Sequence, residues 1–229
     1  MKNEKLIVAL DVPNLKEAER LVKTLSPVVQ VFKIGKELFT SEGPRVVEMV
    51  HSHKAKVFLD LKFHDIPNTV GAACASAARL GVFMLNVHAL GGSAMLKEAV
   101  RTTKTIIGAP LLLGVTVLTS LSDDDLEEVG IHHTAKDEVS LLTRLCESCG
   151  LNGVVASGNE IDIVKKAAQK GFVIVTPGVR PLWAALGDQK RVMTPKEALE
   201  KGADFIIVGR PVTQSPKPLE AAKRILGEL

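Results

Sequence analysis

Short apolar runs alternate along this chain with longer stretches in which apolar residues recur every three or four positions. The runs cover residues 6–10, 28–34, 56–61, 83–88, 110–117, 153–156, 172–175 and 204–208. They are rich in Val, Ile, Leu and Phe and do not alternate cleanly with polar residues. Strands buried on both faces read this way. The spacing between them predicts helices over 15–25, 44–51, 68–80, 94–103, 136–149, 161–169, 195–200 and 219–226. Thr194-Pro195-Lys196-Glu197 is a capping box with proline at the first helical position. Gly81, Gly150, Gly171 and Gly202 each follow a helix, where a left-handed cap favours glycine.

Eight strands alternating with eight helices, one βα unit per roughly 28 residues, make this an α/β chain. A doubly wound open sheet usually carries a glycine-rich turn after its first strand. Here that strand ends Leu10-Asp11-Val12-Pro13. The eightfold count therefore favours a closed (β/α)8 TIM barrel. No low-complexity linker divides the chain, so 1–229 is expected to be a single barrel catalytic domain.

Composition narrows the function. The 229 residues carry 29 Lys+Arg against 26 Asp+Glu, a net charge of +3, too small an excess to argue for nucleic acid. With seven Phe, one Trp and no Tyr, an aromatic platform for single-stranded bases is not expected. Three cysteines cannot form a disulfide framework and point to a reducing compartment. No apolar run approaches the ~18 residues of a membrane span, and the first run is too short for a signal sequence. The expectation is a soluble cytoplasmic protein without membrane or nucleic-acid partners.

In such a barrel the chemistry sits at the C-terminal ends of the strands, and nearly every apolar run here ends in polar residues. They are Asp11, Lys33, Asp60 with Lys62, His88, Thr116 followed by Thr119-Ser120, Ser157, Thr176-Pro177-Gly178, and Gly209-Arg210. Packing alone does not require this pattern. Asp60 and Lys62 are two apart and so are expected on one face of strand three. A Schiff-base lysine needs burial or a neighbouring cation, whereas a proton-donating lysine needs carboxylates nearby. Asp60 and Asp65 favour proton donation by Lys62. A carboxylate beside a bound anion would also repel it. The loops after strands seven and eight are the usual phosphate site. There Arg180 and Arg210 can each grip a phosphate, and Gly178 and Gly209 allow close backbone approach. The 180–193 connection is long enough to act as a lid, and Gln189 within it offers both a donor and an acceptor.

Together these residues resemble the orotidine 5′-monophosphate decarboxylase family of the bacterial type. The similarity runs through Ile7-Val8-Ala9-Leu10-Asp11-Val12-Pro13, Phe32-Lys33-Ile34-Gly35, and Asp60, Lys62 and Asp65 extended by Ile66-Pro67-Asn68-Thr69. It continues through 115–120, 176–181, Asp188-Gln189-Lys190-Arg191 and Val208-Gly209-Arg210, in order over essentially the whole chain. The resemblance implies cofactor-free decarboxylation of orotidine 5′-monophosphate to uridine 5′-monophosphate in pyrimidine biosynthesis. In it Lys62 protonates the C6 carbanion, and Lys33, Asp60, Lys62 and Asp65 form an alternating charged network. It further implies a homodimer in which Asp65 and Thr69 cross to the partner's site. Asp11 and Lys33 would contact the ribose hydroxyls. Thr119, Ser120 and Pro177 lie where the family binds its substrate, with the base at the first two. Arg180, Gln189, Gly209 and Arg210 would hold the phosphate. No metal and no organic cofactor is implied.

Two rivals remain open at the level of sequence. Magnesium-dependent phosphosugar barrels, such as keto-gulonate phosphate decarboxylases and hexulose phosphate synthases, are similar but place an acidic residue where Lys33 stands. A non-catalytic nucleotide-binding barrel would not need Lys62. Other polar features read as structural. His88 suits packing or support better than proton transfer, and His64 reads as a loop residue. Cys146-Glu147-Ser148-Cys149 has neither a second pair nor a nearby His and suits helix packing. The run Asp123-Asp124-Asp125 suits a solvated helix start.

Overall fold

The computed structural model describes residues 3–184 and 193–229. Eight parallel strands close into a barrel in chain order. They are β1 (Asn3–Ala9), β2 (Val29–Gly35), β3 (Lys56–Phe63), β4 (Met84–His88), β5 (Leu111–Val115), β6 (Gly153–Val155), β7 (Val173–Thr176) and β8 (Phe205–Val208). β1 pairs with β8 through Leu6↔Ile206 to Val8↔Val208, which closes the ring. Each of the eight predicted runs overlaps its strand; β4, β5, β6 and β8 lie wholly inside theirs, and β1, β2, β3 and β7 extend one to three residues beyond.

The described helices are α1 (Leu15–Leu25), α2 (Lys36–Glu42), α3 (Arg45–Ser52), α4 (Pro67–Arg79), α5 (Gly92–Lys104), α6 (Asp123–Glu128), α7 (Ala135–Ser148), α8 (Ile161–Ala167), α9 (Pro195–Lys201), α10 (Arg210–Thr213) and α11 (Pro218–Gly227). α1 matches its sequence reading to the residue. Asn14 caps it by accepting from the Glu17 N–H at 3.0 Å. The capping box of α9 forms as read, with Thr194 and Glu197 bonding each other's backbone N–H. Gly81, Gly150, Gly171 and Gly202 all take positive φ. The acidic run Asp123-Asp124-Asp125 opens α6, capped by Ser122.

Two apolar layers hold the barrel. The larger lies between strands and helices. The inner one fills the barrel with Ile7, Ala9, Val31, Phe58, Met84, Leu113, Val115, Val155, Val175 and Ile207. Side chains alternate along a strand, so the inward position one pleat beyond Ala9 is Asp11, beyond Val31 is Lys33, beyond Phe58 is Asp60 and beyond Met84 is Asn86. The barrel interior therefore turns from apolar to charged within one pleat, at its C-terminal rim.

Cys146 and Cys149 are buried and free, as the packing reading expects. Cys146 Sγ lies against Gly114 of β5, and a Cβ at that glycine would overlap it. The close approach of α7 to β5 thus requires glycine at 114.

Candidate active site

The C-terminal ends of three strands, β1, β2 and β3, bring Asp11, Lys33, Asp60 and Lys62 into one chain of ion pairs. Lys33 Nζ lies 3.1 Å from Asp11 Oδ1 and 3.4 Å from Asp60 Oδ2. Lys62 Nζ donates to Asp60 Oδ1 at 2.6 Å. Charge alternates along the series, and two carboxylates balance two ammoniums. Lys33 and Asp60 are the buried members, with side chains 10% and 11% exposed, while Asp11 is 56% exposed at the mouth. Burial pushes the Asp60 carboxyl up, but Lys33, Lys62 and the hydrogen bonds from Lys62 and Asn86 outweigh it, so the group titrates below its ordinary range.

The Asp60–Lys62 pair forms, but not through regular strand geometry. The β3–β4 register advances four residues on β3, from Leu59 to Phe63, against two on β4, from Leu85 to Val87. Lys62 sits in this bulge at φ 52°, a left-handed conformation unusual for lysine. Its backbone N–H, displaced from the strand ladder, donates to Asn86 Oδ1 at 2.8 Å. Asn86 Nδ2 donates to Asp60 Oδ1 at 2.7 Å.

Asn86 is a site residue that the sequence reading missed. It is a single uncharged polar residue inside an apolar run, and its only signal was that it breaks the sequence Phe83-Met84-Leu85-Asn86-Val87. Gly35 is the other contributor not singled out. A Cβ there would lie 3.1 Å from Lys33 Nζ, so its absence leaves room for that ammonium. A cleft of about 160 Å³ opens over this group, its lining including Asp11, Lys33, Gly35, Lys36, Asp60 and Lys62.

The remaining expected residues divide in two. Thr119 and Ser120 follow β5, Pro177 and Arg180 follow β7, and Gly209 and Arg210 follow β8, all on the same rim. Arg180 is buried, and its N–H donates to the Met193 carbonyl at 2.9 Å, closing the base of the long connection. Gly209 borders the charged chain: a Cβ there would lie 3.5 Å from Asp11 Oδ2. Gln189 and most of the connection expected to act as a lid lie outside the described residues. Asp65 and Thr69 are exposed and do not join these ion pairs among the described residues. The Asp65 carboxylate instead accepts from the Ile66 N–H at 2.6 Å, where the chain turns into α4. Beside them Ile66 is 66% exposed.

His88 stacks on His64, ring centroids 5.2 Å apart. Burial, with His64, Lys36 and Lys62 adding, pushes the His88 imidazole down to about 4, so it is neutral at neutral pH. That agrees with a packing role for this histidine. Among the described residues no group of three His, Cys, Asp or Glu side chains is placed to hold a metal ion, and no helix is long and apolar enough to cross a membrane.

The family model described as orotidine 5′-phosphate decarboxylase / HUMPS family matches residues 4–225. An orotidine 5′-phosphate decarboxylase of Syntrophotalea carbinolica is 51% identical, covering 99% of this chain and 95% of its own. One from Moorella thermoacetica is 50% identical, covering 99% and 92%. Among solved structures, the orotidine 5′-phosphate decarboxylase of Lactobacillus acidophilus superposes with a TM-score of 0.86 at 36% identity, over 99% of both chains.

Proposed function

The chain belongs to the orotidine 5′-phosphate decarboxylase / HUMPS family, and from that premise we propose that it converts orotidine 5′-monophosphate to uridine 5′-monophosphate and CO2 in pyrimidine biosynthesis. The observation that carries this reading is the Lys33–Asp60–Lys62 bridge, two ammoniums sharing one buried carboxylate at 3.4 and 2.6 Å. A magnesium-dependent phosphosugar barrel would need an acidic ligand at position 33. Here the ammonium of Lys33 already lies between Asp11 and Asp60, where it opposes a metal cation.

The chemistry follows from this arrangement. The bond from C6 to the substrate carboxylate breaks, its electron pair stays on C6, and CO2 leaves. Lys62 Nζ then gives a proton to C6, and the amine left behind regains one from solvent. Asp60 faces the departing carboxylate, and repulsion between the two is relieved as CO2 forms. Preorganised charges of this kind act without reorganising during the reaction. Neither a metal nor an organic cofactor takes part.

Asp11 and Lys33 hold the ribose hydroxyls. Thr119 and Ser120 meet the base, and Pro177 borders it. Arg180, Gln189, Gly209 and Arg210 hold the phosphate, whose distant binding energy helps keep the site closed over the reacting carbon. The protein works as a cytoplasmic homodimer whose subunits are each a single barrel domain. Asp65 of the partner subunit completes the charged network and Thr69 of the partner subunit reaches the ribose. Their exposure next to Ile66 supports this.

Lys62→Ala tests the assignment. Turnover of orotidine 5′-monophosphate should fall below detection while the circular dichroism spectrum stays that of the wild type. Retained turnover would refute it.

A further inference from the structure

The geometry points to Asn86 as the positioning residue that sets the Lys62 ammonium against Asp60, an inference that rests on the decarboxylase reading of the same site. Asn86 is fully buried, and both ends of its amide are committed to the reacting group. Its Oδ1 accepts the Lys62 backbone N–H at 2.8 Å, and its Nδ2 donates to Asp60 Oδ1 at 2.7 Å. The amide cannot be turned over, because that would set a donor against the N–H and an acceptor against the carboxylate.

The need for such a residue comes from the bulge. With four residues of β3 spanning two of β4, the Lys62 N–H has no ladder partner on β4. An unmade backbone hydrogen bond at a buried site is costly. The left-handed conformation of Lys62 adds strain that surrounding contacts must hold in place. The Asn86 side chain supplies the missing acceptor from the position where the ladder fails. The same amide restrains the carboxylate oxygen that Lys62 Nζ binds at 2.6 Å. One side chain thus fixes both the backbone from which Lys62 extends and the oxygen on which its ammonium rests. An asparagine in an otherwise apolar buried strand is explained by this double task.

The charged groups that face Asn86 are few. Asp60 and Lys62 lie on β3, Lys33 on β2 reaches Asp60, and His88 stands two residues on along β4. On the other side β5 opposes it with Leu113, its register partner. Replacing the amide by a carboxyl would therefore place a second carboxylate against Asp60 Oδ1, and the pair would share a proton. In its protonated form that carboxyl reproduces the amide: its O–H donates to Asp60 and its carbonyl accepts from Lys62.

Asn86→Ala and Asn86→Asp test this with orotidine 5′-monophosphate as substrate. The kcat of Asn86→Ala should fall about 100-fold with KM changed less than about threefold, since the phosphate grip is remote and a misplacement of ~1 Å costs this much. Asn86→Asp should be impaired at neutral pH and regain kcat, relative to wild type, as pH falls and the shared proton is taken up. A kcat within about threefold of wild type in Asn86→Ala would overturn the inference. So would an Asn86→Asp profile parallel to that of the wild type, and this second variant decides the matter if the alanine variant does not fold. Wild-type protein that fails to decarboxylate the substrate would instead refute the decarboxylase reading.

Discussion

Asp60 binds Lys33 through one oxygen and both Lys62 and Asn86 through the other. Such a buried cluster holds only while complete, because removing one member leaves an uncompensated charge away from water. The carboxyl stays ionised because its partners outweigh the effect of burial, so its contribution to stability is lost only below the ordinary carboxylate range. His88 acts in a different window. Its imidazole titrates near 4 in the folded protein, against 6.5 ordinarily. Between those values the unfolded chain binds the extra proton. Stability should therefore be complete above about pH 6.5 and decline toward pH 4, by at most about 1.4 kcal/mol per pH unit before solvent screening reduces it. His51, lowered by burial, adds in the same direction. Urea midpoints of wild type and His88→Gln across this range separate the two histidines. The decline should be shallower in the variant, and equal slopes would show that His88 does not carry it.

The passage from β3 into α4 sends Lys62 and Asp65 to two sides of the molecule. The bulge aims Lys62 into its own barrel, and three residues later Asp65 is turned away at the start of α4. If Asp65 serves a neighbouring subunit, two inactive variants should complement each other. In a heterodimer of Lys62→Ala with Asp65→Ala, one site has both residues intact and the other lacks both. Random mixing makes half the dimers hybrid, so about a quarter of wild-type turnover should return. No recovery after demonstrated subunit exchange would place Asp65 outside the shared site. This element also shows what the sequence could and could not reveal. Asp60 and Lys62 were legible as a pair because two charges end an apolar run. The bulge that brings them together was not, because it depends on how β3 meets β4. Asn86 was hidden for the same reason: its partners belong to another strand. The helices α6 and α10 span six and four residues, too short for an apolar period to emerge, and the seven residues of α2 bury only Leu38. Only the acidic start of α6 was visible.

Across the whole molecule, the closed barrel was legible because each strand is buried on both faces and is followed by one helix with an apolar stripe, a unit repeated eight times. The same closure explains why residues as far apart as Asp11 and Gly209 border one site: β1 and β8 are neighbours in the ring. The apolar interior ends one pleat below the charged layer, which gives Asp60 and Lys33 a dry floor and an open cleft above. Decarboxylation of orotidine 5′-monophosphate by this charged layer is proposed to need side chains alone. It is tested most directly by following the ultraviolet absorbance of that substrate with the wild-type protein, with and without a metal chelator. Substrate should be lost at the same sustained rate in both. No loss, or a loss abolished by the chelator, would contradict it.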